Sequence, residues 1–224
     1  MTTLSQVVLA SSNAGKIKEF SALFGSLGIE LIPQSKLGIS DTQEPFLTFV
    51  ENALTKARHA SRYADKPAIA DDSGICVSAL KGEPGVHSAR FASDDFGSRS
   101  DEANNHKLIR LLNGVKDRSA WYVAVLVFVL SPDDPMPIIA QAMWKGLIVD
   151  EPRGKNGFGY DPHFYIPEEG CTAAELSLER KNLISHRAKA LVSLRQQLNE
   201  KNYPNLNLSN FFFYFFSKIR VCSS

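Results

Sequence analysis

Two adjacent carboxylates, Asp71 and Asp72, close a short apolar run in the segment PAIADDSG, Pro67 to Gly74. Ala68, Ile69 and Ala70 read as a buried strand, and Ser73-Gly74 reads as the turn that ends it. A carboxylate at a strand end can hold a hard cation against a phosphate, in the crevice where open α/β sheets take their ligands. The same residues can also cap the turn with their own side chains, and the stretch alone leaves both readings open. Glu44 is a second candidate for a metal-directed carboxylate. It precedes a helix without a capping duty, whereas Glu51, three residues after Thr48, is needed for a capping box.

Three further clusters carry usable chemistry. Ser11, Ser12, Asn13, Ala14, Gly15 and Lys16 stand between a β-branched run, Val7 to Ala10, and an amphipathic segment from Ile17 to about Leu27. Small polar residues and a glycine let backbone N–H groups approach an anion at a helix N-terminus, and Lys16 adds a point charge. The GxxxxGK[ST] spacing of a Walker A loop is absent, and a capping turn with a surface lysine is the competing account. Arg153 to Pro162, RGKNGFGYDP, is a glycine-punctuated loop. Phe158 and Tyr160 offer flat faces, Gly159 offers close backbone approach and Asp161 offers an acceptor, a mixture suited to a nucleobase; a tight loop with its aromatics folded into the core is the alternative. Lys181, His186 and Arg187 gather near the start of a last helix, where cations oppose the helix dipole and invite an acceptor-rich ligand.

The elements that must position these groups can be read from the patterning. Strands are expected at Val7 to Ala10, Ile29 to Ile32, Ala68 to Ala70 and, on the return, Ile75 to Leu80. Helices are expected from Thr48 to about Tyr63, Asp101 to Leu112, and His186 to Asn199 with Ser185 as N-cap. Lys56 lies on the second helix, where a solvated face is the simplest account. Arg90 follows a Gly-Pro-Gly loop and suits either a phosphate or a salt bridge. Ser119 to Leu130, SAWYVAVLVFVL, predicts a central strand buried on both faces. It falls short of the roughly 20 apolar residues of a membrane helix. Ile138 to Val149 reads as one or two strands broken near Gly146.

Composition narrows the function classes. With 224 residues, 44% hydrophobic and 22% charged, the chain fits one ordinary folded domain. A net charge of +1 gives no footprint for extended nucleic acid, so any phosphate binding is local. Cys76, Cys171 and Cys222 are far apart and lack metal-ligand spacing, which fits reduced thiols and a cytoplasmic setting. No secretory leader is visible, so the Asn207-Leu208-Ser209 sequon carries no weight.

Taken together, VVLASSNAGKIKE, LTFVENALTKARHA, PAIADDSG, PGVHSARF, GFGYDPHF and KNLISHRAKAL resemble the Ham1/RdgB-type inosine triphosphate pyrophosphatases, in the family's order, over nearly all of residues 6 to 198. The resemblance implies an α/β fold with an elongated mixed β-sheet flanked by helices and a nucleotide cleft between two lobes. It implies one such domain over residues 1–200, a homodimer with no membrane attachment, and Mg²⁺-dependent hydrolysis of ITP, dITP and XTP-like nucleotides to the monophosphate and pyrophosphate. Such an activity cleanses the nucleotide pool. Residue by residue, it implies that Ser11, Asn13, Lys16 and the loop between them meet the triphosphate, with Lys56 also on the nucleotide. Glu44 and Asp72 serve the metal, Asp72 acts as general base, and Ser73 stands beside it. Phe158, Gly159, Tyr160 and Asp161 line the base and sugar, and Lys181, His186 and Arg187 read the purine edge. Two related readings share parts of this pattern: a Maf-type pyrophosphatase, against which the SHR and GFGYDP segments speak, and a nucleotide-binding regulator, which has no need of both Glu44 and Asp72. Ser12 stands where the family has glycine and lacks its freedom at positive φ. The extension 201–224, with aromatics from Phe211 to Phe216, has no counterpart in the pattern.

Overall fold

A computed structural model of the chain describes residues 6–24, 29–93 and 100–201. Its strands are β1 (Gln6–Leu9), β2 (Glu30–Pro33), β3 (Ala68–Val77), β4 (Ser119–Val129), β5 (Ile138–Ile148), β6 (Phe164–Ile166) and β7 (Cys171–Thr172). The helices that matter for the site are α1 (Ala14–Phe24), α2 (Phe49–Ala64), α3 (Asp101–Leu111), α4 (Leu178–Ile184) and α5 (His186–Glu200). The strands form one mixed sheet in the order β2-β1-β3-β4-β5-β6-β7. β1 runs parallel to β2 and β3, and every later neighbour is antiparallel. The sequon, Cys222 and the aromatic extension lie outside the described residues, as does the expected end of the first helix near Leu27.

Each helix packs where its apolar spacing dictates. Ala53, Ala57 and Ala60 form a stripe along α2, and their small side chains let the helix sit close on Val8, Ala70, Val123, Val125 and Val127. On the opposite face Leu191, Leu194 and Leu198 of α5 pack on Leu126, Phe128 and Ile138. Full burial of such a side chain contributes about 1.5–3 kcal/mol. A separate core joins the far ends of β3 and β4 to β5, β6 and α3, around Ile75, Tyr122, Trp144, Phe164 and Leu108. β3 and β4 run through all three cores.

The largest departure from expectation concerns β3. No turn interrupts it at Ser73-Gly74: the strand pairs continuously with β4 from Ala68↔Val129 to Val77↔Ala120, so the expected strand and its return are one element. The turn chemistry of DDSG yields to ten residues of antiparallel pairing. Gly74 serves close approach instead, because a Cβ there would lie 2.3 Å from the Gly85 carbonyl and 2.4 Å from Ser88 Oγ. β5 likewise runs unbroken through Gly146, paired with Ala120. β4 is buried along nearly all its length, as its composition requires. Thr48 caps α2 as expected, with Oγ1 accepting from the Glu51 amide at 3.4 Å, while the Glu51 carboxylate accepts the Thr48 hydroxyl at 2.5 Å in place of the backbone N–H of a full capping box.

Candidate active site

Parallel pairing of β1 with β3 ends at Leu9↔Ile69, so beyond Ile69 one edge of β3 is released from β1. Successive strand residues point to opposite faces. Asp71 and Ser73 therefore face α1 and α5, Asp72 faces α2, and the cleft at the released edge reaches both sides.

On the α2 side, Lys56 Nζ lies 2.7 Å from Asp72 Oδ1 and 3.4 Å from Glu44 Oε1. Arg90 backs the same glutamate, 3.8 Å from Oε2. Lys56 is thus no solvated lysine: its side chain is 12% exposed and holds the two predicted carboxylates together. Burial raises the Asp72 pKa, opposed by Lys56 and Lys16, and the group remains above its ordinary value. Burial lowers that of Lys56, but Asp72 and Glu44 more than reverse it, so the lysine stays charged. Asp72 Oδ2 is buried without a hydrogen-bond partner among the described residues. An orphaned carboxylate oxygen beside Glu44 is a hard-oxygen donor set that fits a magnesium-like cation, which takes one or two carboxylates and completes its shell with substrate oxygens and water.

On the other face, Asp71 joins the triphosphate candidate to the purine candidate. Its Oδ2 lies 2.8 Å from Lys16 Nζ and 3.3 Å from Arg187 Nε, and it accepts the Ser73 hydroxyl at 2.9 Å. Arg187 also donates to Ser73 Oγ at 2.8 Å. Burial would raise the Asp71 pKa, but Lys16 and Arg187 hold the carboxyl well below the usual range. Sequence reading missed this role, although the alternation of a continuous strand would have revealed one carboxylate per face.

The first loop caps α1 three residues earlier than expected. Asn13 Oδ1 accepts from the Lys16 amide at 3.0 Å, and Ser11 Oγ accepts from the Asn13 amide at 3.2 Å. Ala14 opens α1, and Gly15 lies under the Phe158 ring. Ser12 needs no left-handed backbone; among the described residues only Asp65 and Lys81 adopt positive φ without being glycine. Its hydroxyl donates to Asp41, which also accepts Gln34 Nε2 at 2.5 Å. The capping turn is present, and its lysine is not at the surface but drawn inward to Asp71.

The glycine-punctuated loop divides its aromatics. Phe158 faces the cleft, with Lys181 Nζ 5.1 Å and Arg187 Cζ 5.3 Å from its ring centroid. Tyr160 turns into the core, 4% exposed, and donates to the Ser88 carbonyl at 2.8 Å. Asp161 is committed internally: Oδ2 accepts the Phe158 amide at 2.9 Å and Lys181 Nζ at 2.6 Å. Lys181 is on α4, ahead of the last helix rather than at its start, and is 4% exposed. His186 opens α5, stacked on Tyr122 at 4.7 Å and 6°. Neither of its ring nitrogens has a hydrogen-bond partner among the described residues, and burial depresses its pKa well below 6.5, so the imidazole is neutral. Tyr122, unremarked in the sequence beyond its strand, is the bed for this histidine.

Two adjoining cavities, of about 140 and 100 Å³, share Asn13, Lys16, Ser73 and Ala89 in their walls. The first contains Ser11, Ser12, Glu44, Lys56, Asp71 and Asp72; the second contains Phe158, Gly159, Tyr160, Asp161, Lys181, His186 and Arg187. Every site residue inferred from the sequence except Ala14 and Gly15 lines one or both, and those two form the start of α1.

An open mixed sheet with a cationic, carboxylate-bearing cavity opening into an aromatic one defines a nucleotide-handling α/β protein. The chain belongs to the Ham1 family, whose model matches residues 7–197. It is 62% identical over 195 residues to the dITP/XTP pyrophosphatase of Bordetella pertussis, covering 87% of this chain and 92% of that one. With the dITP/XTP pyrophosphatase of Nitrosomonas europaea it shares 56% identity over 197 residues, 88% of this chain and 96% of the relative. Among solved structures, a HAM1 protein from Coxiella burnetii matches with a TM-score of 0.79 and 44% identity, over 87% of this chain and 98% of that one.

Proposed function

We propose that this chain hydrolyses non-standard purine nucleoside triphosphates, dITP, ITP and XTP among them, to the monophosphate and pyrophosphate, and so clears them from the nucleotide pool. The observation that carries this reading is the continuity of two chemistries at one strand edge. Lys16 and Lys56 stand beside the carboxylates in one cavity, and a ring platform with buried donors stands in the next.

The triphosphate is received by the first loop, with Lys16 and Lys56 countering its charge. Glu44 and Asp72 would hold Mg²⁺, which would supply neutralisation of charge on the departing pyrophosphate. Asp72 takes a proton from a water that attacks the α-phosphorus. The new bond is from water oxygen to the α-phosphorus; the bond that breaks joins that phosphorus to the bridging oxygen, which leaves with the pyrophosphate. The base lies on Phe158. Lys181 and Arg187 are donor-only groups beside that ring and favour a 6-oxo acceptor over a 6-amino donor, since an unmatched buried polar group costs about 1–3 kcal/mol. The reading includes a cytoplasmic homodimer.

The test is pyrophosphate release from dITP, XTP, GTP and ATP with Mg²⁺, with and without chelator, on the full chain and on Asp72→Asn. Chelator-sensitive release from dITP or XTP, with little from ATP and at least a hundredfold loss in the variant, is expected on the order of a general-base contribution. Wild-type turnover by Asp72→Asn would remove the assignment of Asp72, and binding without hydrolysis would remove the enzymatic reading.

A further inference from the structure

Two side chains of α3 hydrogen-bond the same residue of the ring-binding loop. Asp101 Oδ2 accepts the Gly159 N–H at 2.6 Å, and Asn105 Nδ2 donates to the Gly159 carbonyl at 2.9 Å. The two side chains are four residues apart, on one face of the helix, so a single rigid element grips both polar groups of one backbone unit. Gly159 has φ +65°, a conformation with little support from side-chain packing of its own. It directly follows Phe158, whose own N–H is held by Asp161.

The same helix holds the opposite wall. Asn104 Oδ1 accepts the Ala92 N–H at 2.8 Å and Lys107 Nζ donates to the Phe91 carbonyl at 2.7 Å, so α3 also fixes the segment that follows Ser88 and Ala89. Those two residues line the ring cavity across from Phe158 and Gly159. The spacing between its two walls is therefore set from α3.

We infer that Asp101 and Asn105 are positioning residues for base recognition: by clamping Gly159 they fix the plane and depth of the Phe158 ring, and through it the affinity for the purine, without acting on the phosphates. The inference rests on the nucleotide reading above. Asn105 is the more telling member, because it does not line the ring cavity and its hydrogen bond there goes to the Gly159 carbonyl.

The experiment compares the full chain with Asp101→Ala, Asp101→Asn and Asn105→Ala, measuring kcat and KM for ITP and inhibition by inorganic tripolyphosphate, which has no base. Glu102→Ala is the control, since it removes a neighbouring first-turn carboxylate from α3 without touching Gly159. Asp101→Ala and Asn105→Ala should each raise KM about tenfold, the scale of one lost charge-assisted or buried hydrogen bond, with kcat and the tripolyphosphate constant held within about twofold. Asp101→Asn, which keeps an acceptor for the Gly159 N–H, should recover most of the loss. Equal loss in Glu102→Ala would reduce the effect to helix stability and overturn the clamp. So would an Asn105→Ala protein with wild-type KM, or parallel weakening of tripolyphosphate. If the wild-type protein turns over no purine triphosphate, the function reading fails separately, and calorimetric binding of ITP against tripolyphosphate to the same variants then decides the clamp.

Discussion

Gly15→Ala changes no charge and no hydrogen-bonding side chain, yet the geometry makes it a severe test of the site. A Cβ at residue 15 would lie 2.7 Å from Phe158 Cδ1 and 2.8 Å from Cε1. Carbon atoms settle at about 3.5–4.0 Å, so the ring must retreat by roughly 1 Å. The phenyl group cannot move independently of recognition, because Lys181 and Arg187 sit beside it and Asp161 holds its amide. Stability moves far less. Alanine is better than glycine in a helix by about 1 kcal/mol, and overpacking costs about 1–3 kcal/mol, so the net change should stay within about 2 kcal/mol. Misplacement of a positioning group by about 1 Å can cost up to a hundredfold. The expected result is a fall in kcat/KM for dITP of about tenfold to a hundredfold, with a urea midpoint near wild type. A double-mutant cycle with Phe158→Leu isolates the cause: once the ring is gone, Gly15→Ala should add little. Wild-type kinetics in Gly15→Ala, or an equal loss in both backgrounds, would refute the contact as the reason for glycine.

Two other predictions concern buried charge. Lys181→Met leaves Asp161, with 3% of its side chain exposed, deprived of its ammonium partner and should cost about 3–5 kcal/mol in urea unfolding; adding Asp161→Asn should restore much of it, and a Lys181→Met protein of unchanged stability would contradict the buried pair. His186 binds fewer protons folded than unfolded, because its folded pKa lies below 6.5; its contribution is complete above pH 6.5 and falls by about 1.4 kcal/mol per unit as pH drops from there toward the folded value. His186→Phe keeps a ring on Tyr122 and should flatten that slope in pH-dependent melts, leaving the loss below the ordinary carboxylate range, where Asp71 titrates, in place; an unchanged slope above that range would oppose a buried neutral imidazole.

The sequence was most legible where local signals and tertiary structure agree. Thr48 and Glu51 marked α2, the Val-rich run marked β4, and Ser185 marked α5, each through a pattern contained within one element. Glu44 was separable from Glu51 because Glu51 had a capping duty, whereas Asp72 was told from Asp71 only by the family resemblance. Long-range pairing defeated the reading of DDSG, which has turn residues but lies against β4 throughout. Lys56 and Lys16 looked like surface lysines because nothing within their own helices reveals Asp72 or Asp71 across the sheet edge. Asp101 and Asn105 gave no signal beyond helix-compatible polarity; their partner is more than fifty residues away and contributes only backbone atoms.

The unbroken course of β3 has a consequence for how activity is lost. A base at a strand end would share the motion of its loop, whereas Asp72 is fixed in the middle of a ladder with Val125 opposite it. The Asp72 amide, on the β4 side of the strand, should exchange with solvent only through openings that disrupt the core, among the slowest in the chain. The orientation of Asp72, the proposed base, is thus completed during folding. On heating, Asp72 should keep its aim until the sheet itself melts, so that, under the proposed function, irreversible inactivation and loss of secondary structure should coincide on a single curve.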